Sequence, residues 1–172
     1  MRRLAKTIAA RSARLSYAAA LRAIGQDLDR RGLKSIDLHV EEDGYVAECG
    51  YQAPPSQSAV ALRYTSTDLI ELDAMGKERR GKIPAPAEFL NQTQILRTIG
   101  GYLDRNEARL LRVTNNFSSS DDGSYKVEYI TEEGERVVDA WSQSALYDLC
   151  VALYKQRFRM TGTGGERRVR SS

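Results

Sequence analysis

Cysteine, histidine and long apolar runs are all scarce in this chain. Its 172 residues include only 2 Cys, 1 His and 4 Pro. Two cysteines, Cys49 and Cys150, are too few for a disulfide scaffold. No run approaches the roughly 18–20 consecutive apolar residues of a transmembrane helix, so we expect no membrane span. With 41% hydrophobic and 28% charged residues, the composition is typical of a globular protein and excludes a fibrous one.

Motifs of catalysis and cofactor binding are missing as well. The sequence has no nucleophile elbow, no H-E-x-x-H motif and no dinucleotide fingerprint. The single histidine, His39, has no Cys or His neighbours at zinc-binding spacing. The glycine-rich stretch 162–165 lacks the spacing of a phosphate-binding loop. We therefore predict a non-enzymatic protein with no catalytic residue, no metal site and no cofactor.

The formal net charge of +3 conceals an uneven distribution. Residues 1–34 hold nine basic and two acidic side chains, and residues 154–172 hold six and one. Residues 35–153 hold eleven basic and twenty acidic side chains, with one basic cluster at 76–82. Basic ends on an acidic body commonly bind anionic partners, nucleic acid above all. The alternative is that these charges only keep the ends of the chain solvated.

An internal similarity organises the sequence. Residues 21–30, LRAIGQDLDR, return at 96–105 as LRTIGGYLDR, with seven of ten positions identical at an offset of 75. Residues 36–38 match 111–113 at the same offset, and 45–49 match 125–129 at an offset of 80. We interpret the chain as a tandem duplication.

Each unit has the same predicted elements, in the order α-β-β-β-α. Apolar residues recur at helical spacing from Tyr17 to Leu28, and Gly32 stands where a helix would end. Alternation predicts strands at 36–40, 45–51 and 60–64. Residues 67–80 could form a helix or a fourth strand. Their counterpart, 144–153, has a helical period, which favours the helix.

The predicted fold class is α+β. It is an internal duplication of an α-β-β-β-α unit, with antiparallel three-stranded sheets and helices packed on one face. The predicted division is a basic arm at 1–11, a first repeat at 12–83, a second repeat at 84–159, and a disordered basic tail at 160–172. The repeats are expected to share a core, because each alone would be only marginally stable.

The α-β-β-β-α order resembles double-stranded-RNA-binding domains, and also the opening of type III secretion chaperones. In the RNA-binding family the second helix begins on a basic, glycine-containing segment, where this chain has Thr65-Ser66-Thr67-Asp68. With Leu69–Leu72 as a strand, the order would look like that of the Whirly single-stranded-DNA binders. We assign the chain to none of these families, because element order alone does not fix function.

The main functional hypothesis is a cytoplasmic, non-catalytic protein that binds RNA or single-stranded DNA, with Tyr45, Tyr51 or Tyr64 stacking on bases where exposed. Organelle import stays open, because no acidic residue precedes Asp27. The alternative is a protein-interaction or scaffold module that forms homo-oligomers. The basic side chains predicted to contact phosphates are Arg2, Arg3, Lys6, Arg11, Arg14, Lys77, Arg79, Arg80, Lys82, Lys155, Arg157 and Arg159.

Overall fold

The computed structural model describes residues 15–51, 59–76, 83–115 and 124–161, with side chains to residue 156 in the last range. These residues confirm the α+β class. The elements in chain order are α1 (Tyr17–Arg31), β1 (Ser35–Glu41), β2 (Gly44–Gly50), β3 (Val60–Thr65), α2 (Ser66–Met75), a 3-10 turn (Glu88–Leu90), α3 (Gln92–Arg105), β4 (Arg109–Thr114), β5 (Tyr125–Ile130), β6 (Arg136–Trp141) and α4 (Gln143–Thr161).

The strands form a single antiparallel sheet of six, in the order β3-β2-β1-β4-β5-β6. The prediction of separate three-stranded sheets was therefore wrong. β1 and β4 pair at the centre of the sheet, with Leu38 opposite Val113. As separate sheets, β1 and β4 would each be an edge strand with unpaired backbone groups, and their pairing removes both edges. The predicted duplication itself stays a prediction.

α1 and α3 pack against each other over one face of the sheet, with α2 beside α1 and α4 beside α3. The core is continuous across both halves, since Leu21 and Ile24 of α1 join Leu96 and Ile99 of α3 in one buried cluster. The two long helices approach unusually closely. A Cβ on Gly25 would lie 2.6 Å from the Cα of Thr93, so only glycine fits there.

Residues 66–75 form a helix rather than a fourth strand. The cause is local, because Thr65 and Asp68 form a capping box that satisfies free amide groups at the helix start. α1 ends at Gly32, whose φ of 69° is the left-handed conformation that glycine adopts without strain. Residues 77–80, the rest of the ambiguous stretch, lie outside the described residues.

Candidate nucleic-acid interface

A groove with a volume of about 370 Å³ runs between α3 and α4. Four separate parts of the chain build it: the start of α1, residue 84, the outer side of α3, and the second half of α4. Its walls are mixed in character, with apolar, aromatic and cationic side chains. Its lining residues include Ser16, Pro84, Arg97, Arg105, Cys150, Tyr154 and Gln156.

Three residues that line this groove stand next to basic segments in the sequence. Ser16 comes two residues after Arg14, Pro84 comes two residues after Lys82, and Gln156 directly precedes Arg157. The described residues nearest in sequence to the arm, to the end of the 76–82 cluster and to the C-terminal basic stretch therefore line one groove, whereas Gly76, the start of the cluster, lies beside Arg22 and Gln26.

The groove contributes two cationic side chains of its own, Arg97 and Arg105 of α3. Its acidic side chain, Asp104, accepts hydrogen bonds from the backbone amides of Tyr17 and Ala18, both at 2.8 Å. These amides form the positive end of the α1 helix dipole, which compensates the carboxylate charge. The groove is thus a cationic site in spite of Asp104.

Among the twelve predicted phosphate-binding residues, the side chain of Lys155 is described. It is exposed on α4, between Tyr154 and Gln156 of the groove. Arg157 and Arg159 belong to α4, but their side chains lie outside the described residues. Outside the described residues altogether lie Arg2, Arg3, Lys6, Arg11, Arg14, Lys77, Arg79, Arg80 and Lys82.

The groove residues Arg97, Arg105 and Tyr154 were not among the predicted site residues. A signal for the arginines was present, because they stand eight residues apart, about two helical turns, and so share one face of α3. Two of the tyrosines proposed to stack on bases differ sharply in exposure. Tyr64 is only 5% exposed, whereas Tyr51 is 57% exposed. Tyr154 is the aromatic side chain that lines the groove.

The described residues carry 14 Lys and Arg against 19 Asp and Glu, a net charge of −5. The remaining segments carry 12 basic and 4 acidic side chains, a net charge of +8. The sheet face opposite the helices is mixed in charge, and two of its arginines bond to carboxylates. Arg112 donates to Asp37 at 2.8 Å, and Arg63 donates to Glu41 at 3.3 Å. That face is poorly suited to phosphates.

His39 lies on the same mixed-charge face, with its Nδ1 atom 3.5 Å from the Oδ1 atom of Asp37. Within the described ranges, no three His, Cys, Asp or Glu side chains are grouped so as to hold a metal ion. Cys49 is buried, and burial together with the nearby Asp27 carboxylate raises the pKa of its thiol to about 12. Cys150 is a half-buried free thiol in the groove wall.

No helix in the described part of the chain has the length and apolar character needed to span a membrane. No model of a known protein family matches the chain, and neither a curated protein nor a solved structure matches it. The functional conclusion therefore depends on the groove and on the distribution of charge around it.

Proposed function

We propose that this is a non-catalytic nucleic-acid-binding protein whose binding site is centred on the groove between α3 and α4. The observation that carries the proposal is that the groove supplies Arg97 and Arg105. Its lining residues Ser16, Pro84 and Gln156 also stand within two positions of three basic segments in the sequence. Lys and Arg side chains gathered around one groove make contacts to phosphates that are largely independent of base sequence. Tyr154 supplies a ring on which a base of RNA or single-stranded DNA can stack.

We also propose that the two halves arose by duplication of an α-β-β-β-α unit, and that they diverged in the carboxylates that surround two matched arginines of their first helices. In the first half, Arg22 bonds to Asp73 and Arg30 bonds to Asp27. The offset of 75 relates these arginines to Arg97 and Arg105.

Asp27 and Asp73 have no acidic counterparts in the second half. Asp27 corresponds to Tyr102 at the offset of 75, and Asp73 corresponds to Cys150 when the helix caps Thr65 and Ser142 are aligned. Replacing two carboxylates by uncharged side chains leaves the groove of the second half more positive than its counterpart. This difference supports the second half as the binding half.

The test is a binding titration with fluorescently labelled single-stranded RNA, single-stranded DNA and duplex DNA over a salt series. We expect single strands to bind at low salt, with the logarithm of the affinity falling linearly with the logarithm of the salt concentration. Absence of binding at low salt, or binding that salt does not weaken, would contradict the proposal. A preference for the duplex would contradict the single-strand assignment.

Alkylation of Cys150, measured on the same complexes, tests whether nucleic acid binds in the groove. Its thiol lines the groove, so bound nucleic acid should slow its alkylation, whereas Cys49 is buried and should stay unreactive throughout. Alkylation of Cys150 at an unchanged rate in a saturated complex would place binding elsewhere on the molecule.

A second candidate function is self-association through β6. This strand is at one edge of the sheet, and Val138 on it is 63% exposed. An edge strand with an exposed apolar side chain is suited to pairing with the same strand of a second copy. Sedimentation of the wild-type protein and of Val138→Lys over a range of concentrations tests this. A monomer at every concentration would exclude it.

A further inference from the structure

A second cleft, with a volume of about 310 Å³, lies where α1 begins, between the β1–β2 hairpin and the start of α2. Its apolar wall includes Leu15, Val40, Tyr45 and Leu69. Val40 is 37% exposed, although it continues the inward-facing series of β1 that begins with the buried Ile36 and Leu38. An apolar strand position left open to solvent beside a cleft indicates a missing occupant.

The corresponding position in the second half of the molecule is occupied. A 3-10 turn, Glu88–Leu90, directly precedes α3 and buries Phe89, which is 2% exposed. The Phe89 ring meets the Tyr147 ring of α4 edge to face, with centroids 5.4 Å apart. Tyr125, the counterpart of Tyr45, is 1% exposed in that half. In the second half, residues that precede the first helix thus complete the core.

The chain itself supplies an occupant for the open cleft. Leu15 is the first described residue and lines the cleft, so residues 1–14 lead away from its mouth. Leu4 and Ile8 are four residues apart and would share a helix face with Leu15. The rim carries Glu41 and Glu42, whereas residues 1–14 hold five basic side chains and no acidic one. The apolar side chains and the charge of this segment therefore both match the cleft.

We propose that residues 1–14 dock into this cleft within the same molecule, with Leu4 and Ile8 as the inserted side chains and with Arg3, Arg11 and Arg14, which flank that helix face, toward the acidic rim. The docked arm completes the core of the first half, as Phe89 completes the core of the second half. This inference does not depend on nucleic-acid binding, since it concerns the free protein. Nucleic acid would compete with Glu41 and Glu42 for the cationic side chains of the arm.

The test is hydrogen exchange on the full chain, comparing wild type with the double variant Leu4→Asp/Ile8→Asp. We expect several-fold faster exchange at the β1–β2 turn and in the first turn of α2, with β5 unchanged. The control is Ala9→Asp/Ala13→Asp, which adds the same charge on the helix face opposite Leu4 and Ile8. Its exchange rates should equal those of wild type. Equal exchange in wild type and Leu4→Asp/Ile8→Asp would overturn the proposal.

Two further measurements keep the proposal falsifiable if the aspartate variant does not fold. The milder Leu4→Ser/Ile8→Ser variant should show the same local acceleration, and an unchanged pattern would again overturn docking. Protection in wild type should not depend on protein concentration over a hundredfold range. Protection that grows with concentration would show that the arm of a second copy fills the cleft, which would overturn docking within one molecule.

Discussion

Asp29 and Asp104 cap each other's helices. Asp104, near the end of α3, accepts hydrogen bonds from the amides of Tyr17 and Ala18 at 2.8 Å. Asp29, near the end of α1, accepts them from the amides of Gln92 and Thr93 at 2.9 Å. Each carboxylate is unfavourably placed at the negative end of its own helix dipole, and the positive end of the other helix compensates it. Each helix therefore adds to the stability of the other.

Removal of either cap should destabilise the whole fold. We expect Asp29→Ala and Asp104→Ala each to lower the free energy of unfolding by about 1 kcal/mol, within a range of roughly 0.5–2 kcal/mol for lost N-caps. Urea denaturation of each variant measures this. Glu132→Ala, at an exposed turn position, is the control and should stay within about 0.5 kcal/mol of wild type. A loss of stability in only one of the two variants would show that the caps are not equivalent.

The close approach of α1 and α3 predicts opposite results at two adjacent glycines. A Cβ on Gly100 would lie 2.6 Å from the amide nitrogen of Ala18, which is backbone and cannot yield. We expect Gly100→Ala to destabilise the protein by about 1–3 kcal/mol, in spite of the better helix propensity of alanine.

Gly101→Ala is the matched control, because its Cβ would meet only the flexible Leu153 side chain, at 3.3 Å. We expect it to be neutral or slightly stabilising, since alanine gains about 1 kcal/mol of helix propensity. Thermal or urea unfolding of both variants gives the comparison. Equal effects at the two positions would contradict the close helix crossing.

Asp27 predicts how the stability of the protein depends on pH. It is 3% exposed, and burial alone would raise its pKa. Hydrogen bonds from Arg30, Tyr64 and Arg31 outweigh burial and lower the pKa of this carboxyl below its ordinary value. The contribution of Asp27 to stability is therefore complete above its unfolded pKa of about 3.9, and is lost as pH falls through the lower folded value.

We expect Asp27→Asn to lower the free energy of unfolding by about 1–3 kcal/mol at pH 7, because the arginines and Tyr64 lose a charged acceptor. The difference from wild type should shrink as pH falls below about 4. Urea denaturation from pH 7 to pH 2 measures it. Asp43→Asn, in the exposed β1–β2 turn, controls for the removal of one carboxylate. A difference that stays constant down to pH 2 would show that the Asp27 charge is not what stabilises the fold.

The groove arginines predict a change in the salt dependence of binding. If Arg97 and Arg105 each contact one phosphate, Arg97→Ala/Arg105→Ala should reduce the salt slope for a single strand by about 1.4, since each contact contributes about 0.7. Arg63→Ala/Arg136→Ala removes the same charge from the sheet face and is the matched control. An equal loss in both double variants would mean that overall charge, not the groove, attracts the nucleic acid.

Most secondary structure could be predicted from the sequence, because helical and strand periods are local. The strand predicted at 60–64 is confirmed, and β3 extends it by one residue to Thr65. The pairing of β1 with β4 could not be predicted, because it joins strands about 75 residues apart and leaves no periodic signal in either. The groove could not be predicted either, because Ser16, Pro84 and Tyr154 are far apart in the sequence and come together only in the tertiary fold.

The reciprocal caps also determine how the chain can fold. Asp29 and Asp104 find their partners only after a segment of roughly 65–90 residues has closed on itself, and such closure costs conformational entropy before any contact offsets it. In a half-folded chain, the first helix lacks the carboxylate that bonds its first amides, and the central strand lacks its partner. We expect folding to be slow for a chain of this length, and a nascent chain to remain incomplete until α3 has left the ribosome.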